Sequence, residues 1–312
     1  MKNRIAILVP VYNAGVLLAE TLASPARAGL PADSYAILVS DNASTDGSTR
    51  WLAKQDAQGA PVLLRRNVTN LGRVANWNRA MMWAEELGFS HALFLMAGDV
   101  LADSTVIELR DRMVAADSAL GMAPYRIVDE ALKPIRVARR IHWRGGAIDQ
   151  RRFAQQSLGA GALLYGPLGA NLYRLGDQVP LRFDPADETH TDQLATALFA
   201  QGNDARIVYL DRPLSCWRKR KGRFHAGIDP QARLIGDLRV IEQGCRAAKV
   251  APDYTRIRAS LLVRGLFHNR GRLWAAWTQS KILTQGAPPS LYWLAALPLR
   301  QALFKTPWRV EA

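Results

Sequence analysis

Apolar residues in this chain come in short unbroken blocks separated by longer stretches of helical period. Ile5 to Val9 is a continuous apolar run closed by Pro10, the pattern of a strand buried on both faces. The stretch after Asn13 sets Leu17, Leu18 and Leu22 on one side of a helix. Ala36 to Ser40 repeats the strand pattern and leads through a polar turn, Asp41 to Ser48, into a helix near Thr49 to Lys54. Val62 to Arg65 is a third strand, and Val74 to Leu87 a third helix whose Trp77, Met81 and Ala84 recur at helical spacing. His91 to Met96 is a fourth strand, running into Ala97-Gly98-Asp99. Strands alternating with helices at this spacing require crossovers, so the pattern predicts an α/β fold with a mostly parallel sheet flanked by helices. Ligands of such sheets sit beyond the carboxyl ends of the strands, and Tyr12, Asp41 and Asp99 fall there.

Further along, Gly159 to Gly169 is rich in small residues, which suits close-packed turns, and Glu188 to Gln201 reads as a helix burying Leu194 and Leu198. The basic cluster Arg218 to Arg223 closes the sheet region. Residues near 230–285 are helical in pattern, and Pro288-Pro289 introduces an amphipathic stretch, Leu291 to Phe304. The expected organisation is therefore a sheet domain over residues 1–225 and a basic, mainly helical C-terminal region over 226–312. No internal repeat or low-complexity tract interrupts either.

Composition changes this picture in one respect. Across 312 residues, 49% are apolar, enough for a substantial core, and the formal charge is +14. Residues 1–211 hold 22 basic and 22 acidic side chains, whereas the remaining 101 hold 19 and 5, so the excess lies entirely in the C-terminal third. That asymmetry points to an anionic partner: phospholipid headgroups, a pyrophosphate-linked substrate or nucleic acid. Two cysteines, Cys216 and Cys245, supply neither a disulfide framework nor a zinc quartet, and are expected to be plain buried thiols. The first apolar run is too short for a secretory signal or a membrane span, so a cytoplasmic location is expected.

Four segments concentrate the candidate chemistry: Val9-Pro10-Val11-Tyr12-Asn13; the acidic, Ser/Thr-rich turn from Val39 to Ser48; Asn70-Leu71-Gly72-Arg73 with Asn76-Trp77-Asn78-Arg79-Ala80; and Leu95-Met96-Ala97-Gly98-Asp99-Val100. In this order, over roughly the first 225 residues, they resemble the family-2 glycosyltransferases, nucleotide-sugar enzymes of GT-A fold. The resemblance implies a nucleotide pocket begun by Pro10, Tyr12 and Asn13. Asp41 would recognise the base, since a carboxylate can accept an imide or guanine N–H. Asp46 is expected to cap the following helix. Arg73 would pair with phosphate oxygens and Asn78 with ribose or base, although either residue also suits a solvated helix face.

Where the family places two or three adjacent carboxylates for Mg²⁺ or Mn²⁺, only Asp99 stands here, flanked by Gly98 and Val100. The turn Asp187-Glu188-Thr189-His190-Thr191-Asp192 falls where the family carries its catalytic carboxylate. Asp192 is the expected base of an inverting transfer, with Glu188 in reserve, while His190 reads as a hydrogen-bonding turn residue. Trp217-Arg218 and His225 resemble the loop that folds over the donor phosphates, making Arg218 and His225 candidate diphosphate contacts.

The implied donor is a UDP-, GDP- or TDP-sugar, and the implied acceptor a lipid-linked saccharide in surface polysaccharide synthesis. Aromatic and basic residues from Tyr292 to Arg309 suit a helix in the headgroup layer of an anionic membrane, or one packed on the catalytic domain. A nucleic-acid module is not expected, because no helix-turn-helix, zinc-finger, RNP or KH signature is present. Two rivals keep the fold: a non-catalytic nucleotide-binding relative, and a transferase acting on bare polyprenyl phosphate.

Overall fold

The computed structural model describes residues 4–50, 52, 62–139, 141–142, 146–176, 178–187, 189–203, 206–220, 229–268 and 308–309. The amino-terminal half is a run of strands and crossover helices: β1 (Ile5–Val11), α1 (Leu17–Arg27), β2 (Tyr35–Asp41), β3 (Val62–Arg66), α2 (Arg73–Glu86) and β4 (His91–Phe94). These four strands lie in the order β4-β1-β2-β3, all parallel. β1 shows why a continuous apolar run makes a central strand. Ile5, Ile7, Val9 and Val11 enter one buried cluster with Leu18 and Leu22 of α1, while Ala6 and Leu8 enter another with Trp77 and Met81 of α2. Pro10 is tolerated because β4 pairs with β1 only from Ile5 to Leu8, so the missing N–H falls beyond that ladder.

The chain continues through β5 (Val100–Leu101), α3 (Thr105–Ala115), β6 (Ser118–Met122), β7 (Tyr125–Val128), β8 (Pro134–Ala138), β9 (Ile141–His142), β10 (Gly146–Asp149) and α4 (Gln150–Gln156). It then forms β11 (Asn171–Arg174), α5 (Thr191–Gly202), β12 (Arg206–Tyr209) and β13 (Ser215–Arg218). The large sheet has eight strands, ordered β10-β12-β6-β11-β4-β1-β2-β3. β11 inserts antiparallel to both β4 and β6, so the all-parallel half ends at β4. A second sheet, β5-β13-β7-β8, stands beside the carboxyl end of β4. The helix expected near Thr49 to Lys54 lies largely outside the described residues.

Two helices follow the sheet. α6 (Pro230–Ala248) starts where Asp229 accepts the Ala232 N–H at 2.8 Å with proline in the first turn, and stops at Lys249, whose φ is 54°. α7 (Tyr254–His268) then crosses over Gly161. A Cβ on Gly161 would lie 2.8 Å from the Ile257 Cα, so only glycine admits this approach. Leu234, Leu238, Val240, Ile241 and Cys245 of α6 and Ile257 and Leu261 of α7 join the same buried cluster as Leu8 and Phe94. These helices thus share the core of the large sheet across the boundary expected at residue 225. Burial raises the pKa of both thiols, that of Cys245 to about 11, which favours the protonated form.

Trp308–Arg309 (β14) pairs in parallel with β9. The amphipathic stretch Leu291 to Phe304 lies outside the described residues. Among the described residues no helix is long and apolar enough to cross a membrane.

Candidate active site

Three loops converge beyond the carboxyl ends of β1, β2 and β4. Asn13 pins the first to the second: its side-chain oxygen accepts the Thr45 N–H at 2.8 Å and the Asp46 N–H at 3.3 Å, and its own N–H donates to Ser44 Oγ at 3.0 Å. Asp46 accepts the Gly15 N–H at 2.9 Å, a second tie between the same loops. It also accepts the Ser48 N–H at 2.9 Å, the bond of a capping side chain, while the helix it was expected to cap lies partly outside the described residues. Tyr12 stands beside the cross-link with 52% of its surface exposed. Pro10 sets the strand end from which both residues project.

Asp41 is placed differently from its expected role. Its carboxylate is fully buried, accepting the Ser44 N–H at 2.9 Å and the Thr49 hydroxyl at 2.7 Å, with the Arg66 guanidinium 3.7 Å away. It holds the turn from beneath rather than presenting an acceptor to a base. Beside it runs an amide network that periodicity did not reveal. Asn42 accepts from Asn67 Nδ2 and the Leu71 N–H and donates to Asn70 and the Gly72 carbonyl, while Asn76 bridges Ser40 and Asn67. The clustering of asparagine from 67 to 78 was the available sequence signal.

Arg73, the first residue of α2, stacks its guanidinium 4.7 Å from the Trp77 ring centroid. Asn78 does not face the pocket in the manner expected. Its amide donates to the Phe183 carbonyl at 2.7 Å and accepts the Phe183 N–H at 2.8 Å, clasping α2 to the segment that precedes α5. Its oxygen and one of its two N–H groups are thereby engaged by backbone, so joining these two elements is the side chain's first task.

Asp99 follows the end of β4. It is 8% exposed, and its Oδ1 accepts the Arg218 N–H at 2.9 Å. Thr21 of α1 stiffens this floor, accepting the Gly98 N–H and donating to the Asp99 carbonyl, each at 2.8 Å. The Arg218 side chain, 4% exposed, is directed away to Glu20 and to the Glu130 carbonyl. Its assignment as a diphosphate contact is therefore corrected: the guanidinium is buried in structural bonds. His225 lies outside the described residues.

Arg220 is a residue that sequence reasoning passed over. Its Nη2 donates to the Ala97 carbonyl at 2.9 Å, which lays the guanidinium against Gly98. The donor set at this floor does not fit a divalent ion held by protein groups. One oxygen of the single carboxylate is engaged by backbone, a guanidinium stands at the neighbouring residue, and among the described residues no three potential ligands cluster.

Asp192 lies in the first turn of α5, partly exposed. Because β11 runs antiparallel to β4, the residues that precede Asn171 sit at the carboxyl edge of β4. Asp192 Oδ2 reaches 3.2 Å from the position a Cβ on Gly166 would take. The turn is braced by its neighbours. Thr196 donates to the Asp192 carbonyl at 2.7 Å and contacts the buried Tyr173 hydroxyl at 2.9 Å. Asp187 accepts the Thr189 and His190 N–H groups and pairs with Arg239 of α6. Burial alone would raise its pKa, but those N–H groups, the Thr189 hydroxyl and Arg239 outweigh it and hold the carboxyl below its usual range. His190 is buried, not a surface turn residue, its Nε2 2.9 Å from Asp237 of α6, which also meets Arg264 of α7 at 3.3 Å. Glu188 lies outside the described residues.

Residues 6–156 match the family model described as Glycosyl transferase family 2. Among solved structures, Staphylococcus aureus TarS 1-349 in complex with UDP-GlcNAc aligns with a TM-score of 0.66 at 20% identity, over 89% of this chain and 79% of that one. The same TarS fragment in complex with UDP aligns at 0.62 and 18%, over 86% and 73%. The mannosyltransferase PcManGT from Pyrobaculum calidifontis, in complex with GDP-Man and Mn²⁺, aligns at 0.52 and 14%, over 91% and 86%. A search of curated proteins returns no match. The matched segment spans β1 to α4, including the three convergent loops, so residues 6–156 resemble a glycosyl transferase family 2 domain, and the chain shares its fold with the GT-A glycosyltransferases it aligns to.

Proposed function

We propose that this chain transfers a sugar from a nucleoside-diphosphate sugar to an acceptor hydroxyl with inversion at C1. The observation that carries the reading is the shared edge: the cross-linked β1 and β2 loops, the Asp99 floor and the partly exposed carboxylate of Asp192 all gather at the carboxyl end of one sheet. In this reading Tyr12 and Asn13 border the base and ribose, Asp41 keeps their loop in shape, and Arg73 is a candidate phosphate contact. Asp192 accepts the proton of the acceptor hydroxyl as that oxygen attacks C1 from the face opposite the departing diphosphate. The Mg²⁺ or Mn²⁺ expected from the family would meet a single carboxylate, Asp99, with one oxygen already engaged by backbone, so no ion and no step is assigned to this floor.

The acceptor we favour is a saccharide on a lipid pyrophosphate, presented at the cytoplasmic membrane face in a surface polysaccharide pathway. Its support is the charge distribution, with 19 basic against 5 acidic residues after 211, and exposed Arg246, Lys249 and Arg256 on or beside the C-terminal helices.

Calorimetric titration with UDP, GDP and TDP tests the donor site. One nucleotide should bind selectively, and Asp192→Asn should retain that binding while transfer falls by roughly 10²–10⁴-fold. Absence of binding to all three would overturn the transferase reading of this edge. For the membrane part, the full chain should sediment with anionic vesicles at low salt and release at high salt; equal sedimentation with neutral vesicles would refute it.

A further inference from the structure

Gly98 and Arg220 explain one another. Gly98 has a φ of +97°, and a Cβ built on it would lie 2.9 Å from Arg220 Nη2, 3.0 Å from Cζ and 3.1 Å from Nη1. Any side chain at 98, a carboxylate included, would have to displace the guanidinium and adopt backbone angles that only glycine takes without strain. The guanidinium is held in place by the Ala97 carbonyl and sits one residue from Asp99. Arg218, two residues earlier, is turned inward to Glu20 and Glu130, so among the described residues of this strand end Arg220 is the arginine that faces the floor.

The electrostatic consequence is direct. A divalent ion between protein and diphosphate needs anionic protein ligands to hold it. Among the described residues one carboxylate stands at this floor, and a positive charge lies at the adjoining residue, which repels a cation and attracts the diphosphate itself. We propose that Arg220, in the space cleared by Gly98, binds the donor diphosphate directly and stabilises it as leaving group, taking over the charge neutralisation that a metal gives where the acidic cluster is complete. The proposal rests on the nucleotide-sugar reading above. As the acceptor oxygen forms its bond to C1, the bond from C1 to the distal phosphate oxygen breaks. The electron pair leaves on that oxygen, where the planar N–H fork of Arg220 meets it, and the acceptor's proton passes to Asp192.

The test compares nucleoside diphosphates with their monophosphates (UDP and UMP, GDP and GMP, TDP and TMP) by calorimetry in EDTA, using the full chain. Wild type should bind the preferred diphosphate at least about tenfold tighter than its monophosphate without metal. Arg220→Ala should erase that difference and leave monophosphate affinity unchanged, with Arg220→Lys intermediate because an ammonium keeps the charge but loses the fork. Donor turnover in Arg220→Ala should fall by roughly 10²–10³-fold, the scale of removing one preorganised oxyanion donor. A preference for diphosphate that appears only with Mn²⁺ and is indifferent to Arg220→Ala would overturn this inference while leaving the transferase reading standing. No binding of any nucleotide would overturn both.

Discussion

Replacing Gly236 by alanine separates what local propensity predicts from what packing predicts. Gly236 sits inside α6, where the exchange should stabilise the helix by about 1 kcal/mol. In the folded protein, however, a Cβ there would come within 2.9 Å of the His190 Cγ and closer still to Nδ1 and Cε1. The ring cannot simply swing aside. It is buried, with Thr189 Oγ1 2.7 Å from Nδ1 and Asp237 Oδ1 2.9 Å from Nε2. Expelling it combines an overpacking penalty of about 1–3 kcal/mol with about 1–3 kcal/mol for disrupted buried hydrogen bonds. After the propensity gain, the net loss is about 1–5 kcal/mol, a fall in Tm on the order of 2–10 °C for a chain of this size.

Thermal unfolding followed by circular dichroism measures this, and a double-mutant cycle with His190→Ala isolates its cause. Once the ring is removed, Gly236→Ala should become neutral or stabilising, so the cycle should return a coupling of at least about 2 kcal/mol. Transfer activity should fall with the single substitution, because His190 immediately precedes α5 and its Asp192. A single variant as stable as wild type would refute the claim that α6 is keyed to the turn before α5 through His190.

Two further predictions follow from buried charge. Burial first, then the charges of Arg110 and Arg174, lower the His91 pKa from 6.5 to about 4, so the unfolded chain binds the extra proton between those values. Stability should therefore drop as pH falls from 6.5 to about 4, by about 3 kcal/mol, and denaturant titrations of His91→Gln should lack most of that slope. Arg218→Ala should lose about 2 kcal/mol in denaturant unfolding, since its buried guanidinium ties α1 to β13 through Glu20, whereas Arg220→Ala should stay within about 0.5 kcal/mol of wild type. Equal losses in the two would contradict the distinct placements of these arginines.

Much of the catalytic half was legible because its signals are local. The apolar runs at 5–9 and 36–40 became central strands, since a segment apolar on both faces can only be satisfied between two layers of helices. Trp77, Met81 and Ala84 gave α2 its buried face. The same reasoning placed Tyr12, Asp41 and Asp99 at strand ends, because the crossover rule fixes which edge of a parallel sheet is open. It did not reveal β11 entering antiparallel, a choice made by pairing partners distant in sequence.

Side-chain roles depended on that distant pairing. Residue type and position nominated Asp41, Asn78 and Arg218 as ligand contacts. Tertiary contacts instead spend Asp41 on Ser44 and Thr49, Asn78 on the Phe183 backbone, and Arg218 on Glu20 and Glu130. A polar side chain at a loop is equally able to bind a ligand or satisfy buried backbone, and only the neighbours that burial brings to it decide which. The sequence by itself determined the sheet, its open edge and the family of chemistry, since periodicity and short motifs are encoded within a few residues. Only the tertiary structure decided that Arg220 faces the Asp99 floor and that α6 braces the turn before Asp192, because each contact joins residues tens of positions apart through the packing of the whole core.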